Sequence, residues 1–349
     1  MPVYEVDPLK DGRWGEFLQA HPKSSVFHTP AWLEALTRTY GYEVHALTTT
    51  KPGESLKNGL VFCRVKSWLT GSRTVSLPFS DHCQPLVDGP ADLAEILEVL
   101  REDVSSGNTK YCELRIVAGL NSDFGEPMGL TESSVFCFHT LDLRSRVDEI
   151  YRGFHKSCVQ RKVQRAEREG LTLQEGRSEA ELAMFYSLLL LTRRRHQLPP
   201  QPLRWFRNLI QTFGHDLLIR VALKDGRPVA SILTLAHKKS VVYKYGCSDS
   251  QMHNLGGMPL LFWRGIREAK EQGAEEFDFG RSEKDNQGLI SFKDHWGGTR
   301  SQLTYYRYPA TSSEAVAAPP QMESALKVFS ALPDFCLTTA GRLLYKHIG

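Results

Sequence analysis

At 349 residues the chain is longer than one hydrophobic core ordinarily serves, so two domains are expected. Hydrophobic residues make up 41% and charged residues 24%, the balance of a globular chain and not of a disordered or membrane-embedded one. A net charge of +3 excludes a global basic footprint for nucleic acid, so any such patch must be local.

In the first half, Thr29 followed by Pro30 reads as a helix start and Gly41 as its stop. Glu43 to Thr50 and Gly59 to Val65 read as paired strands. Asp92 to Arg101 reads as a helix with Leu93, Ile96, Leu97 and Leu100 inward, and Tyr111 to Val117 as a further strand.

The second half is clearer. Ser145 with Asp148, and Ser178 with Glu181, carry the hydroxyl-then-acid spacing that caps a helix. Leu182, Phe185, Leu188 and Leu189 follow at helical spacing, and Pro202, Phe206, Leu209, Ile210 and Phe213 repeat it. Leu217 to Leu223, Val229 to Ala236 and Val241 to Gly246 then form an antiparallel meander, turned at Asp225-Gly226 and Lys238-Lys239. A helix from Pro259 to Gly273, a strand from Glu276 to Gly280, a helix over Gly288 to Trp296 and a strand from Gln302 to Tyr308 complete the order. Between the halves only the order of elements repeats. Ala310 to Met322 reads as a linker, and Leu326 to Ile348 as a tail that packs back or touches a membrane surface through Phe329, Leu332, Phe335 and Leu344.

Seven cysteines are scattered without a Cys-x-x-Cys pair, so neither a disulfide framework nor a metal site is expected. The first residues lack a basic stretch ahead of an apolar one. The longest apolar run, near Leu182 to Leu191, is about half of the ~20 residues a span needs, so a cytoplasmic location is expected. No nucleophile elbow or phosphate-cradling Gly-rich loop with Lys-Ser/Thr is present, which removes hydrolase and kinase readings.

Phe277-Asp278-Phe279-Gly280-Arg281-Ser282, then Phe292-Lys293-Asp294-His295-Trp296-Gly297, carries the most chemical information. A strand end presents Arg281 and Ser282, and a following turn presents Lys293. These cations suit phosphate, carboxylate or a developing oxyanion. The alternative is that Arg281 pairs with Glu283 or Asp285 while Lys293 is solvated. Asn254-Leu255-Gly256-Gly257-Met258 precedes a helix whose N-terminal amides suit a pyrophosphate, or else is only a turn. Over Ser157 to Glu169, Val159, Val163 and Ala166 face inward while Arg161, Lys162, Arg165 and Arg168 face out, with Arg161 the first candidate for phosphate contact. Tyr243 and Tyr245 are expected on one face of a strand, positioning an acceptor or packing the core. Asp81 beside His82 is the candidate general base.

The Phe-Asp-Phe-Gly-Arg-Ser strand end and Phe-Lys-x-x-Trp-Gly turn closely resemble the signature of FemAB-like proteins of the GNAT superfamily, particularly those associated with exosortase and exopolysaccharide systems. Leu77 to Asp88 and Thr192 to Pro200 resemble further segments of that family, with Gln84 and Gln197 standing where the family usually has Gly. The resemblance runs from about residue 25 to 308. It implies an α+β fold of two tandem GNAT-like domains, mixed and mostly antiparallel sheets flanked by helices, here placed at 1–143 and 144–309 with a tail at 310–349. It implies transfer of an acyl or aminoacyl group onto an amine of a cell-envelope, peptidoglycan or polysaccharide precursor. Acyl-CoA or aminoacyl-tRNA would be the co-substrate, with no bound cofactor and no metal. The turn's Lys maps onto Lys293, which would stabilise the oxyanion; Arg281, Ser282, Gly256, Gly257, Tyr243, Tyr245 and Arg161 are the donor- and acceptor-binding candidates by charge and position, although the glycine loop lacks the full Arg/Gln-x-x-Gly-x-Gly pattern of GNAT enzymes. The competing reading is a catalytically idle binding module of a polysaccharide or protein-sorting system.

Overall fold

A computed structural model describes residues 2–117, 129–309 and 333–349. Ala310 to Met322, expected as a linker, and Phe329 and Leu332 of the tail lie outside the described residues. The chain forms two compact units. Among the described residues, the first takes those up to 138 with 301–309 and 343–349, and the second takes 139–300 with 333–342.

The first unit holds β1 (Tyr4–Val6), α1 (Gly12–Ala20), α2 (Pro30–Tyr40), β2 (Glu43–Thr48), β3 (Leu60–Val65), β4 (Arg73–Ser76), α3 (Pro90–Ser105) and β5 (Cys112–Val117). It also takes most of β6 (Thr131–Asp142) and, from the far end of the sequence order, β12 (Thr299–Tyr308). Its strands lie in the order β1-β2-β3-β4-β5-β12-β6, with β4 and β5 parallel. Thr29 caps α2 through its hydroxyl, and Gly41 ends the helix at φ 72, as the sequence indicates. Leu93, Ile96, Leu97 and Leu100 of α3 are fully buried in one cluster with Leu60, Phe62 and Leu114. β12 pairs antiparallel with β5 from Leu303↔Val117 to Tyr308↔Cys112, so the last strand among the described residues is hydrogen-bonded within the first unit.

The second unit runs α4 (Val147–Gly153), a π-helical turn (Lys156–Gln160), α5 (Arg161–Arg168), β7 (Thr172–Gly176), α6 (Glu179–Arg195) and α7 (Leu203–Phe213). It continues with β8 (Leu217–Lys224), β9 (Arg227–His237), β10 (Ser240–Ser248), α8 (Gly257–Glu271), β11 (Glu276–Glu283) and α9 (Gln287–Asp294). Its sheet order is β11-β10-β9-β8-β7, antiparallel except for the parallel pair β10 and β11. Ser178 and Glu181 form the expected capping box on α6. At the preceding helix the start is shifted: α4 begins at Val147, and Glu149, not Asp148, accepts from the backbone of Arg146. Asp225 and Gly226 both take positive φ in the β8–β9 turn, where the two-residue hairpin needs it.

The signature aromatics build the core of this unit. Phe277, Phe279 and Trp296 are fully buried around Phe262 of α8, with ring centroids 5.2–6.3 Å apart. Such aromatic pairs contribute about 0.5–1.5 kcal/mol each beyond area burial. A helix α10 (Asp334–Ile348) follows, burying Leu337 and Tyr345 while Phe335 and Leu343 stay exposed. No helix among the described residues is long and apolar enough to cross a membrane.

Candidate active site in the second unit

The parallel ladder between β10 and β11 covers only Ser240↔Glu276 to Val242↔Asp278, although both strands run on well past it. The strands therefore part toward their C-terminal ends, the place where open α/β sheets accept ligands. The parting coincides with a bulge in β10 at Lys244, because Tyr243 opposes Thr234 and Tyr245 opposes Leu233. One extra residue reverses the alternation of faces. Tyr243 consequently packs on Phe262 of α8, the rings tilted by 54° with centroids 4.5 Å apart, whereas Tyr245 turns to α7, accepts a 2.8 Å hydrogen bond from Trp205 Nε1 and packs on Phe206. The expectation that the two tyrosines share one face is corrected by that bulge.

A pocket of about 340 Å³ opens here. Val229, Ala230, Tyr243, Met258, Leu289 and Phe292 give it apolar walls, while Lys162, Ser248 and His253 supply its polar groups. Ser248 Oγ lies 2.8 Å from His253 Nε2, and its carbonyl accepts from Arg195 Nη1 at 3.3 Å. Partial burial and the charge of Arg195 hold His253 below the ordinary histidine range. Sequence reasoning missed Ser248, His253, Leu289 and Phe292 as lining residues; Phe292 lies inside the recognised turn, but the others carry no local signal.

Gly256 and Gly257 open α8 at the pocket's edge. Gly256 has φ 79, and a Cβ there would lie 2.4 Å from the Lys162 carbonyl oxygen, so only glycine lets α8 start against α5. Gly257 faces Ala230 and Val229, where a Cβ would come within 3.1 and 3.3 Å. The adjacent glycines thus have a packing reason independent of any ligand.

Lys293 is not solvated. It is 2% exposed, and its ammonium donates to the carbonyl oxygens of Gly280 and Arg281, each at 2.8 Å. Asp278, also buried, turns its carboxylate back to accept from the Gly280 N–H at 2.6 Å, which fixes Gly280 at φ 72 within β11, a strand that runs on past the expected stop at Gly280 to Glu283. Arg281 is one-third exposed and lies 4.0 Å from Glu283. Ser282 is buried, and its hydroxyl has no hydrogen-bond partner among the described residues.

Beside this strand end, buried His139 places Nε2 3.1 Å from Asp294 Oδ1, and Arg300 pairs with the same carboxylate. Burial lowers the imidazole pKa against the pull of Asp294, with Lys293 and Arg300 lowering it further. The Arg300 and His139 hydrogen bonds keep the Asp294 carboxyl below the usual carboxylate range despite its partial burial. No sequence signal marks His139.

Arg161, Lys162, Arg165 and Arg168 are exposed on α5 while Val159, Val163 and Ala166 are buried, as the spacing indicates. Arg165 is 3.4 Å from Glu169; Arg161 has no ion-pair partner among the described residues. Of the Arg193–Arg195 run, Arg194 pairs with Asp334 and Arg193 donates to Gln201. Gln197, where the family resemblance leads one to expect Gly, takes φ 57, the left-handed conformation that explains the usual glycine.

Asp81 and His82 belong to the first unit. The His82 ring is set edge-on against Phe27 and Phe138, each at 5.2 Å, and the Asp81 carbonyl accepts from Tyr305 Oη at 2.9 Å. Arg115 holds the loop by donating to the carbonyls of Leu77 and Ser80.

Residues 154–293 match the family described as Acetyltransferase (GNAT) domain. Among solved structures the fold is similar to that of FemX, at 14% identity over 87% of this chain and 97% of that one, with a TM-score of 0.68. It is also similar to a tandem GNAT protein from the clavulanic acid biosynthesis pathway, at 14% identity over 90% and 100% of the two chains with a TM-score of 0.57. A third similar structure is the C-terminal domain of an Agrobacterium fabrum protein designated a lysylphosphatidylglycerol synthetase, at 14% identity over 91% and 94% with a TM-score of 0.56. A search of curated protein sequences gave no match.

Proposed function

From the premise that this chain has the FemAB-like GNAT fold, with an acetyltransferase (GNAT) domain at residues 154–293, we propose that it is an N-acyltransferase acting on an amine of a cell-envelope or polysaccharide precursor. The observation that carries the reading is the parting of β10 from β11 over an apolar-walled pocket at the N-terminus of α8. An acyl group suits the apolar walls, and the helix amides suit a donor phosphate.

The acceptor's neutral amine attacks the acyl carbonyl carbon. The C–N bond forms, the bond to the leaving thiolate or ribose oxygen breaks, and the amine proton passes to that leaving group. Lys293 carries the cation proposed to stabilise the oxyanion, with Arg281 and Ser282 at the same strand end. Asp81 with His82 remains the proposed general base on sequence grounds. Arg161 is proposed to meet phosphate of the donor, acyl-CoA or aminoacyl-tRNA; Tyr243 is proposed to contact the acyl chain. Exposed Phe335 suits the proposed peripheral contact with a membrane surface.

A second reading, an idle binding module, is favoured by one observation: the Lys293 ammonium is buried and engaged by two backbone carbonyls. Thermal unfolding with acetyl-CoA, longer acyl-CoAs and aminoacyl-tRNA tests both. A donor at 100 times its Kd raises stability by about 2.7 kcal/mol. A shift with one donor, together with amide formation on a model amine, supports the transferase. No shift with any of the three favours the module.

A further inference from the structure

His155, Cys158 and His295 come together outside the pocket just described. One ligand atom from each lies within 4.8 Å of the other two. His155 caps the π-helical turn ahead of α5, Cys158 sits within that turn, and His295 caps the end of α9, two residues beyond Lys293. π-Helical turns are rare and concentrate at functional sites. The two segments are already joined by a 2.8 Å hydrogen bond from the His155 N–H to the His295 carbonyl, and their rings lie 4.6 Å apart.

We propose that these three residues form a binding site for a zinc-like divalent metal ion. Two imidazoles and one thiolate are the ligand set such borderline ions prefer. His155 Nδ1 accepts a 3.2 Å hydrogen bond from the Cys158 N–H, so ligation through that nitrogen exchanges this bond for the metal, whereas ligation through Nε2 keeps it. Ser157 Oγ lies 3.3 Å from the same nitrogen and 4.0 Å from the thiol. Tetrahedral zinc with ordinary Zn–N and Zn–S bonds sets its ligand atoms roughly 3.5 Å apart. Closure therefore asks for about 1 Å of side-chain movement, available because His155 is exposed and the other two are half-buried. Cys63, Cys83, Cys112 and Cys247 are buried, with thiols pushed up by burial, and among the described residues none joins a comparable cluster. Three protein ligands leave a fourth position to water. A bound ion would fasten the end of α9, whose Leu289 and Phe292 line the pocket, to the turn that leads into α5, whose Lys162 lines it too.

The test titrates the chelator-treated full chain with cobalt(II), then displaces it with zinc. The expected result is tetrahedral cobalt absorption with a thiolate-to-cobalt band, saturating at one equivalent and removed by zinc. Cys158→Ser should abolish the thiolate band, while Cys137→Ser, which changes the thiol of another partly exposed cysteine, should keep it. His155→Ala and His295→Ala should weaken zinc binding tenfold or more; should His295→Ala not fold, the exposed His155 supplies the readout. Absence of the band, or its survival in Cys158→Ser, overturns the proposal.

Discussion

Lys293 Nζ donates to the carbonyl oxygen of Gly280 at 2.8 Å, so a buried cation is tied to β11, the strand on which the signature begins. Replacing it with methionine strips two carbonyls of their partner. Lys293→Met should lower unfolding free energy by about 1–3 kcal/mol, read by chemical denaturation. If the cation also meets the oxyanion, kcat should fall about a hundredfold or more in the protein that remains folded, with donor affinity little changed. Equal turnover by variant and wild type would remove Lys293 from the chemistry.

The bulge separates the tasks of the two tyrosines. Tyr245→Phe removes the acceptor of the Trp205 hydrogen bond and should cost about 1 kcal/mol of stability while leaving donor affinity unchanged. Tyr243→Ala opens the pocket wall and should weaken an acyl donor, measured by calorimetry. The reverse pattern would show that the alternation of faces had been assigned wrongly.

Gly256→Ala places a Cβ against the Lys162 carbonyl in a left-handed backbone. A loss of about 1–3 kcal/mol is expected, seen as a lower unfolding midpoint. Unchanged stability would mean that α5 and α8 are not held as tightly as the 2.4 Å approach requires.

His139 gives a pH dependence with a definite sign. Its folded pKa is lowered below 6.5, chiefly by burial, so as pH falls through 6.5 the unfolded chain takes up the proton before the folded one. The stability it contributes is fully present above pH 6.5 and lost below it, down toward the lowered folded value. Asp294, Lys293 and Arg300 are the charged groups that face it. Between pH 7.5 and 5.5 the wild-type midpoint should drop more than that of His139→Gln; equal slopes would assign the acid sensitivity to other groups.

Most elements of the second unit were legible because hydroxyl caps, Asp-Gly turns and a clean switch of hydrophobic period are local features. Ser178 and Asp225-Gly226 there, and Gly41 in the first unit, do in the structure what their chemistry dictates. The fold itself was legible through the Phe-Asp-Phe-Gly-Arg-Ser and Phe-Lys-x-x-Trp-Gly segments. What could not be read was whatever depends on register or long-range contact. The bulge at Lys244 inverts Tyr245 without any mark in the sequence. Lys293, expected at a turn, is buried because two carbonyls 12 and 13 residues earlier receive it. His139 meets Asp294 across 155 residues.

β12 has a consequence for how the protein is made. A ribosome releases β5 long before residues 301–308 exist, yet those residues supply the strand that pairs with it. Vectorial synthesis normally lets the leading domain fold first. Here the leading unit must wait with an open sheet edge at β5 while residues 139–300 emerge, and the nascent second unit is free to complete its own core sooner. An unpaired edge is an aggregation hazard. Stop codons placed just after residue 300 should therefore yield a chain whose later half is sound and whose earlier half is the part that chaperones hold.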